Sequence, residues 1–298
     1  VYCSHGQKSN FPLFLNIGCY KPVSLFGGWY TSAVIDDEGS VIFIPESENI
    51  KKNPSLMLDR SCLPDGETAV CVACCKNYIY SVSSSGKTYK SKIPKSGNRL
   101  NFIIVKSLQN QKITEISGTY NFCLAVREDG RVFGCGSNEC GELGLGEEPR
   151  NIRKGFVEIW SLKGYKISRA YAGTGHSLFQ TYDGEILACG YNLFGQLFTK
   201  PSEKCVYLPF NTVITDAKFC ITGYNLSIVF IGSEPMNSPN RRIPIKSIEQ
   251  LKSYQNSFTC KEIAQLRSEL LNKDKRISDL EKILHFAIQQ SNNHRNAS

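Results

Sequence analysis

The sequence predicts an all-β protein built by repetition, and three observations carry that prediction. First, the stretch from Gly118 through Gly144 is followed by a close copy, Gly173 through Leu197. A period near fifty residues means a stacked or circular array of one supersecondary unit. Second, each copy reads as an apolar run, an Asp-Gly turn (Asp129-Gly130, Asp183-Gly184) and a second apolar run, which is the pattern of a tight hairpin. Third, fainter turns at Gly39 and Gly86 extend the series, so the four turn glycines recur at spacings of about 44 to 54 residues.

The remaining elements follow in chain order. Val1-Tyr-Cys-Ser-His-Gly6 resembles the strand Val132–Gly136 that follows the turn in the better copy. Gly with Ser four places later recurs at Gly28/Ser32, Gly173/Ser177 and Gly223/Ser227, and the last of these has no Asp-Gly turn or partner strand after it. A half-unit at each end suits ring closure, because pairing the two leaves no open sheet edge. Residues 1–232 thus offer five blade-like units. A segment at 233–257 with Pro235, Pro239 and Pro244 reads as a linker. Over 258–290 the pattern predicts a coiled-coil helix, with Ile263, Leu266, Leu270, Ile277, Leu280 and Leu284 on the seam and Lys273 the one polar d position. Ile at a and Leu at d favour two strands, hence a homodimer; the alternative is an amphipathic helix folded back on the domain. Residues 291–298 are polar and expected to be disordered.

Composition bounds the setting. The 298 residues are 41% hydrophobic and 21% charged, ordinary for a chain that buries a substantial core. No apolar run approaches bilayer length, so no membrane span is expected. The N-terminus has no secretory pattern, although a start at Val1 rather than Met suits a processed chain or a fragment. Thirteen cysteines, several inside predicted strands, are expected to be reduced packing residues, which points to an intracellular location, cytoplasmic or nuclear. Cys71, Cys74 and Cys75 lack the second knuckle that a zinc site needs. Between Thr68 and Glu115 there is no acidic residue, and the basic residues there equal the whole net charge of +8. Lys87, Lys90, Lys92, Lys95 and Arg99 form a candidate patch for an acidic partner or phosphate; the bland alternative is a solvated basic face.

The run Gly173-x-x-His176-Ser177, Asp183-Gly184, then Cys189-Gly190-x-Asn192-x-x-Gly195-Gln196-Leu197 resembles the regulator of chromosome condensation repeat. The companion copy supplies Gly118, Gly130, Gly136, Asn138 and Gly141. The units around Gly39 and Gly86 keep only the hairpin, having lost the Gly-x-Asn-x-x-Gly tail. The resemblance implies a β-propeller of four-stranded blades, with strong likeness over about a quarter of the chain. Family members usually form seven blades. This chain has five recognisable ones, which leaves a smaller ring, two diverged blades or a piece of a longer chain. The resemblance also implies that His176 anchors a loop by hydrogen bonding inside its blade.

Functionally, the family is best known for guanine-nucleotide exchange on a small nuclear GTPase while docked on nucleosomes. Many similar proteins use the propeller simply to bind protein partners. The sequence assigns no catalytic residue, no cofactor and no metal, since it contains neither a phosphate-cradling loop nor a nucleophile elbow. The expected function is therefore a non-enzymatic interaction module or scaffold dimerised by its helix. The alternatives are a guanine-nucleotide exchange factor or regulator of a small GTPase, and a binder of chromatin or another acidic surface through residues 76–112.

Overall fold

The computed structural model describes residues 2–3, 13–14, 20–28, 31–45, 58–94 and 99–232. The chain divides into units of Val1–Asn240 and Arg241–Ser298, and every described residue belongs to the first. The predicted linker, the coiled-coil helix with its seam from Ile263 to Leu284, and the polar tail lie outside the described residues.

Strand follows strand in simple antiparallel order. A first sheet holds β3 (Pro22–Gly27), β4 (Ser32–Asp36), β5 (Val41–Ile44) and β6 (Arg60–Ser61), after a short pair of β1 (Tyr2–Cys3) with β2 (Leu13–Phe14). The second sheet is β7 (Ala69–Cys74), β8 (Tyr78–Ser83), β9 (Thr88–Lys92) and β10 (Ile103–Ile104). The third comprises β11 (Ile113–Gly118), β12 (Phe122–Arg127), β13 (Val132–Ser137) and β14 (Asn151–Glu158). The fourth is β15 (Ile167–Ala172), β16 (His176–Thr181), β17 (Ile186–Asn192) and β18 (Ser202–Asn211), and a two-stranded hairpin of β19 (Ala217–Thr222) and β20 (Ser227–Ile231) follows. The all-β architecture with four-stranded antiparallel blades is as the sequence predicts. No helix among the described residues is long and apolar enough to cross a membrane.

The four turn glycines lie where the periodicity places them, between the second and third strand of each sheet. Each has a positive φ, from +76° at Gly39 to +89° at Gly130. Their second role was not visible in the repeat. The carbonyls of Gly39, Gly86, Gly130 and Gly184 accept hydrogen bonds from the N–H groups of Ala69, Ile113, Ile167 and Ala217, at 2.8–3.1 Å. Each acceptor thus docks the first strand of the next sheet. A side chain at Gly130 would meet the Ile167 backbone nitrogen at 2.9 Å. One residue serves as hairpin turn and as blade-to-blade joint.

The middle strands are buried on both faces. On β12, Leu124 and Val126 pack into the cluster shared with the fourth sheet, while Cys123 and Ala125 pack toward the second. A strand with a neighbour on either side reads as a continuous apolar run rather than an alternating one. Small residues on the β12 face toward the second sheet explain the cysteines: Cys71, Cys123 and Cys135 fill that interface as buried thiols.

At the N-terminus, Tyr2–Cys3 pairs with Leu13–Phe14, and among the described residues no pairing of either strand with β20 is seen; the expected ring closure would also involve residues outside those described.

Candidate ligand-binding cleft between the second and third sheets

The site grows from two features of local structure. On β8, Tyr78 and Tyr80 are two residues apart and so share a face, with ring centres 6.1 Å apart. Across the joint, the backbone N–H of Phe156 on β14 donates to Ser107 Oγ at 2.9 Å, which ties β14 to the 3-10 turn Lys106–Leu108. Gly155, with φ +128°, makes that approach possible, since a side chain there would meet Ser107 Oγ at 2.7 Å. Phe156 then meets Tyr80 edge-to-face, ring centres 5.5 Å apart. This pair forms the apolar floor of a cleft of about 590 Å³ between the sheets.

The rim is cationic. The Lys76 N–H donates to the Tyr120 carbonyl at 3.1 Å, and Lys76 Nζ lies 4.5 Å from the centre of the Tyr120 ring. Lys90 Nζ lies 5.2 Å from the centre of the Tyr78 ring. Lys106, Arg153 and Lys154 complete the lining charges, and among the described residues no carboxylate lines the cleft. Among the described residues none of these five cations is ion-paired. Burial pushes the Tyr80 hydroxyl well above its ordinary range, and pushes the Cys135 thiol beside it up to about 12. Both are neutral at physiological pH. Every ionised group on the lining is then positive, an arrangement that attracts anions and accommodates an apolar group between them.

The predicted patch is only partly here. Lys90 lines the cleft; Lys92 and Arg99 are exposed beyond it, and Lys95 lies outside the described residues. Lys87 faces Glu67 at 2.8 Å, and that hydrogen bond, with one from Ser85, holds the Glu67 carboxyl down at about 2. Its charge is therefore already matched. Sequence reasoning missed Arg153 and Lys154, which lie on β14 outside the acid-free run. A signal existed: the repeat places β14 against the preceding sheet, and its first six residues, Asn151–Phe156, carry two cations and no acid.

The motif residues form a second constellation, and it is structural. Asn138 Oδ1 accepts the Leu143 N–H at 3.0 Å, and its Nδ2 donates to the Gly146 and Pro149 carbonyls. Asn192 repeats this with Leu197, Thr199 and Lys200. Gly136 and Gly190 have φ near +107°, and a side chain at either would strike backbone at 2.2 or 2.5 Å. Gly141 lies against the Tyr207 backbone, Gly118 against Cys75 Sγ, and Gly195 has more room. Ser177 Oγ donates to the Glu142 carbonyl. His176 reaches in two directions: its Nε2 meets Ser227 Oγ at 2.9 Å on the next hairpin, and its ring also has a backbone hydrogen bond with Thr174 in its own unit. Burial holds its imidazole down at about 4, and Gly173 leaves the space its ring fills.

Comparison with known proteins agrees with this geometry. The regulator of chromosome condensation (RCC1) repeat pattern matches residues 113–142 and again 129–180. The chain is 35% identical over 85 residues to the secretion-regulating guanine nucleotide exchange factor of Bos taurus, covering 28% of this chain and 18% of that protein. It is 33% identical over 100 residues to the probable E3 ubiquitin-protein ligase HERC3 of Homo sapiens, 32% of this chain and 9% of that one. The matched stretch thus spans under a fifth of either relative. Its fold is similar to that of Prp20p from Saccharomyces cerevisiae, with a TM-score of 0.61 and 14% identity over 85% of this chain and 63% of that chain. Residues 113–180 of this chain thus carry regulator of chromosome condensation repeats.

Proposed function

We propose that the chain is a non-enzymatic protein-interaction module, a scaffold that binds an acidic protein partner and is dimerised by the helix predicted at 258–290. The observation that carries this reading is the unpaired cationic rim around an aromatic floor. Five lysines and arginines without a carboxylate partner among the described residues hold a repulsive arrangement that a complementary surface relieves. Two copies joined by a coiled coil would raise avidity without new contacts. The free thiols among the described cysteines suit an intracellular compartment. The test is affinity capture with the full chain, followed by titration of the captured partner at rising salt. Affinity that falls with salt supports the reading, and capture of no partner removes it. Sedimentation of the full chain against a version ending at Ser233 tests the dimer: one chain per particle in both would exclude it.

A second reading rests on the relative that is named a guanine nucleotide exchange factor and matches this chain at 35% identity. Exchange is catalysis by differential binding and needs no nucleophile, so the absence of acid–base chemistry on the cleft lining does not oppose it. Accelerated release of labelled nucleotide from a candidate GTPase would replace the scaffold reading with this one.

A further inference from the structure

We infer that the cleft between the second and third sheets is a docking site for an extended acidic peptide segment, which seats an apolar or aromatic side chain on Tyr80 and Phe156 and its carboxylates on the cationic rim. The inference rests on the interaction-module reading and names where, and by what chemistry, that interaction occurs.

Three features select this occupant. The lining charges are all positive: Lys76, Lys90, Lys106, Arg153 and Lys154, with Tyr80 and Cys135 held neutral by burial. A cleft of about 590 Å³ accommodates one or two large side chains, not a globular surface. Its two walls end in edge strands, because β10 and β14 are the outermost strands of their sheets and have no further ladder partner among the described pairings. An extended chain beside such an edge can use its own N–H and C=O groups. Ile103, 61% exposed on β10, adds an apolar lip.

The same geometry argues against single-stranded nucleic acid, the other polyanion that basic aromatic clefts bind. Base stacking needs free ring faces. Here the Lys76 ammonium covers the Tyr120 ring and the Lys90 ammonium covers the Tyr78 ring. Four of the five cations are lysines, point charges that suit several separate carboxylates, whereas phosphate recognition favours the bidentate fork of arginine.

The test uses the full chain and a fluorescein-labelled peptide of alternating glutamates with one central phenylalanine, read by anisotropy. The expected result is binding that weakens as salt rises, and that weakens about 30-fold or more in the triple reversal K76E/K90E/R153E, as loss of several desolvated charge contacts requires. The triple neutral variant K76Q/K90Q/R153Q should fall between the two, which separates charge recognition from misfolding, and melting temperatures of both variants are measured alongside. Reversal at the distant, exposed Lys163 and Lys166 should leave affinity within about twofold, since rim charges elsewhere contribute little. A peptide that does not bind, or binds the cleft and distant reversals alike, overturns the inference. So does an oligothymidine that binds more tightly than the peptide and is lost in the same triple variant. If a captured partner keeps its affinity in that variant, the docking site is wrong while the interaction-module reading stands.

Discussion

The joint between the third and fourth sheets and the joint between the second and third are the same repeat in two conditions. In the first, the loop after β13 folds over its neighbour: a side chain on Gly144 would strike Pro209, and the Gly146 N–H donates to the Tyr207 carbonyl at 3.1 Å. Buried Asn138 holds that loop in shape. In the second joint, the segment after β9 lacks the Gly-x-Asn-x-x-Gly signature. The ladder makes Phe156 the counterpart of Pro209, because Gly134 pairs with Val157 as Ala188 pairs with Phe210. Phe156 lines the cleft where Pro209 is capped. Among the described residues, the unit without the loop motif thus leaves open the surface that the intact motif closes in the next. The comparison also separates two kinds of residue: those of the closed joint hold the fold, and those of the open joint are available for binding.

The largest expected effect lies in the closed joint. Gly141 combines φ +83° with a neighbouring Tyr207 Cα only 2.4 Å from where a Cβ would stand. Gly141→Ala should destabilise by about 3–4 kcal/mol, from left-handed strain plus a clash with backbone that cannot give way. Gly195 holds the equivalent place at φ +79°, yet its nearest atom is 3.4 Å away. Gly195→Ala should cost only the strain, about 1 kcal/mol. Equal losses in chemical denaturation would show that loop packing on the next sheet is not what distinguishes the two positions.

Acid should loosen the joint between the fourth sheet and the last hairpin. His176 is fully buried against Ser227, with its imidazole held at about 4 against an ordinary 6.5. The folded state resists the proton that the unfolded chain takes up, so stability is fully present above pH 6.5 and declines as pH falls from there toward 4. The loss approaches about 3 kcal/mol at the lower end. His176→Gln should start less stable at neutral pH and show a shallower decline. A melting temperature that is flat between pH 7 and 4.5 in the wild type would contradict the burial argument.

Smaller again is the removal of a loop clamp. Asn138→Ala leaves the Leu143 N–H and the Gly146 and Pro149 carbonyls without their partner, at about 2 kcal/mol. Asn192→Ala should cost about the same or slightly less, since one of its three partners is the Thr199 hydroxyl, which can turn to another acceptor, instead of a second backbone carbonyl. A marked difference in melting temperature would mean that one loop is held mainly by its packing.

The contrast also explains what the sequence could show. The closed joints were legible because positive-φ glycines and buried asparagines leave few alternatives, so Gly136, Asn138, Gly190 and Asn192 recur at fixed offsets. The four hairpin turns were legible for the same reason. The cleft was legible only in part. Lys90 drew notice through an acid-free run, but exposed cations obey no spacing rule, and Arg153 and Lys154 reach the site through β14 from the neighbouring sheet. Lys87 misled because Glu67, which neutralises it, stands twenty residues upstream on another element. The partner of His176 was hidden likewise, since Ser227 belongs to a unit whose hairpin has no Asp-Gly turn.

The smallest expected effect bears most directly on function. If the open joint is built for binding, its cations contribute nothing to folding. Lys76, Lys106, Arg153 and Lys154 are exposed and Lys90 is half-buried, and none has a carboxylate partner among the described residues. Their mutual repulsion opposes folding weakly. Lys90→Gln and Arg153→Gln should therefore leave stability within about 0.5 kcal/mol of wild type, or raise it slightly. Lys87→Gln is the matched control, because it breaks the contact with Glu67 at 2.8 Å and can only lower stability. A thermal melt in which the cleft variants fall further than Lys87→Gln would make the rim a structural element of the joint. The open surface would then have no claim to a ligand, whatever its charge.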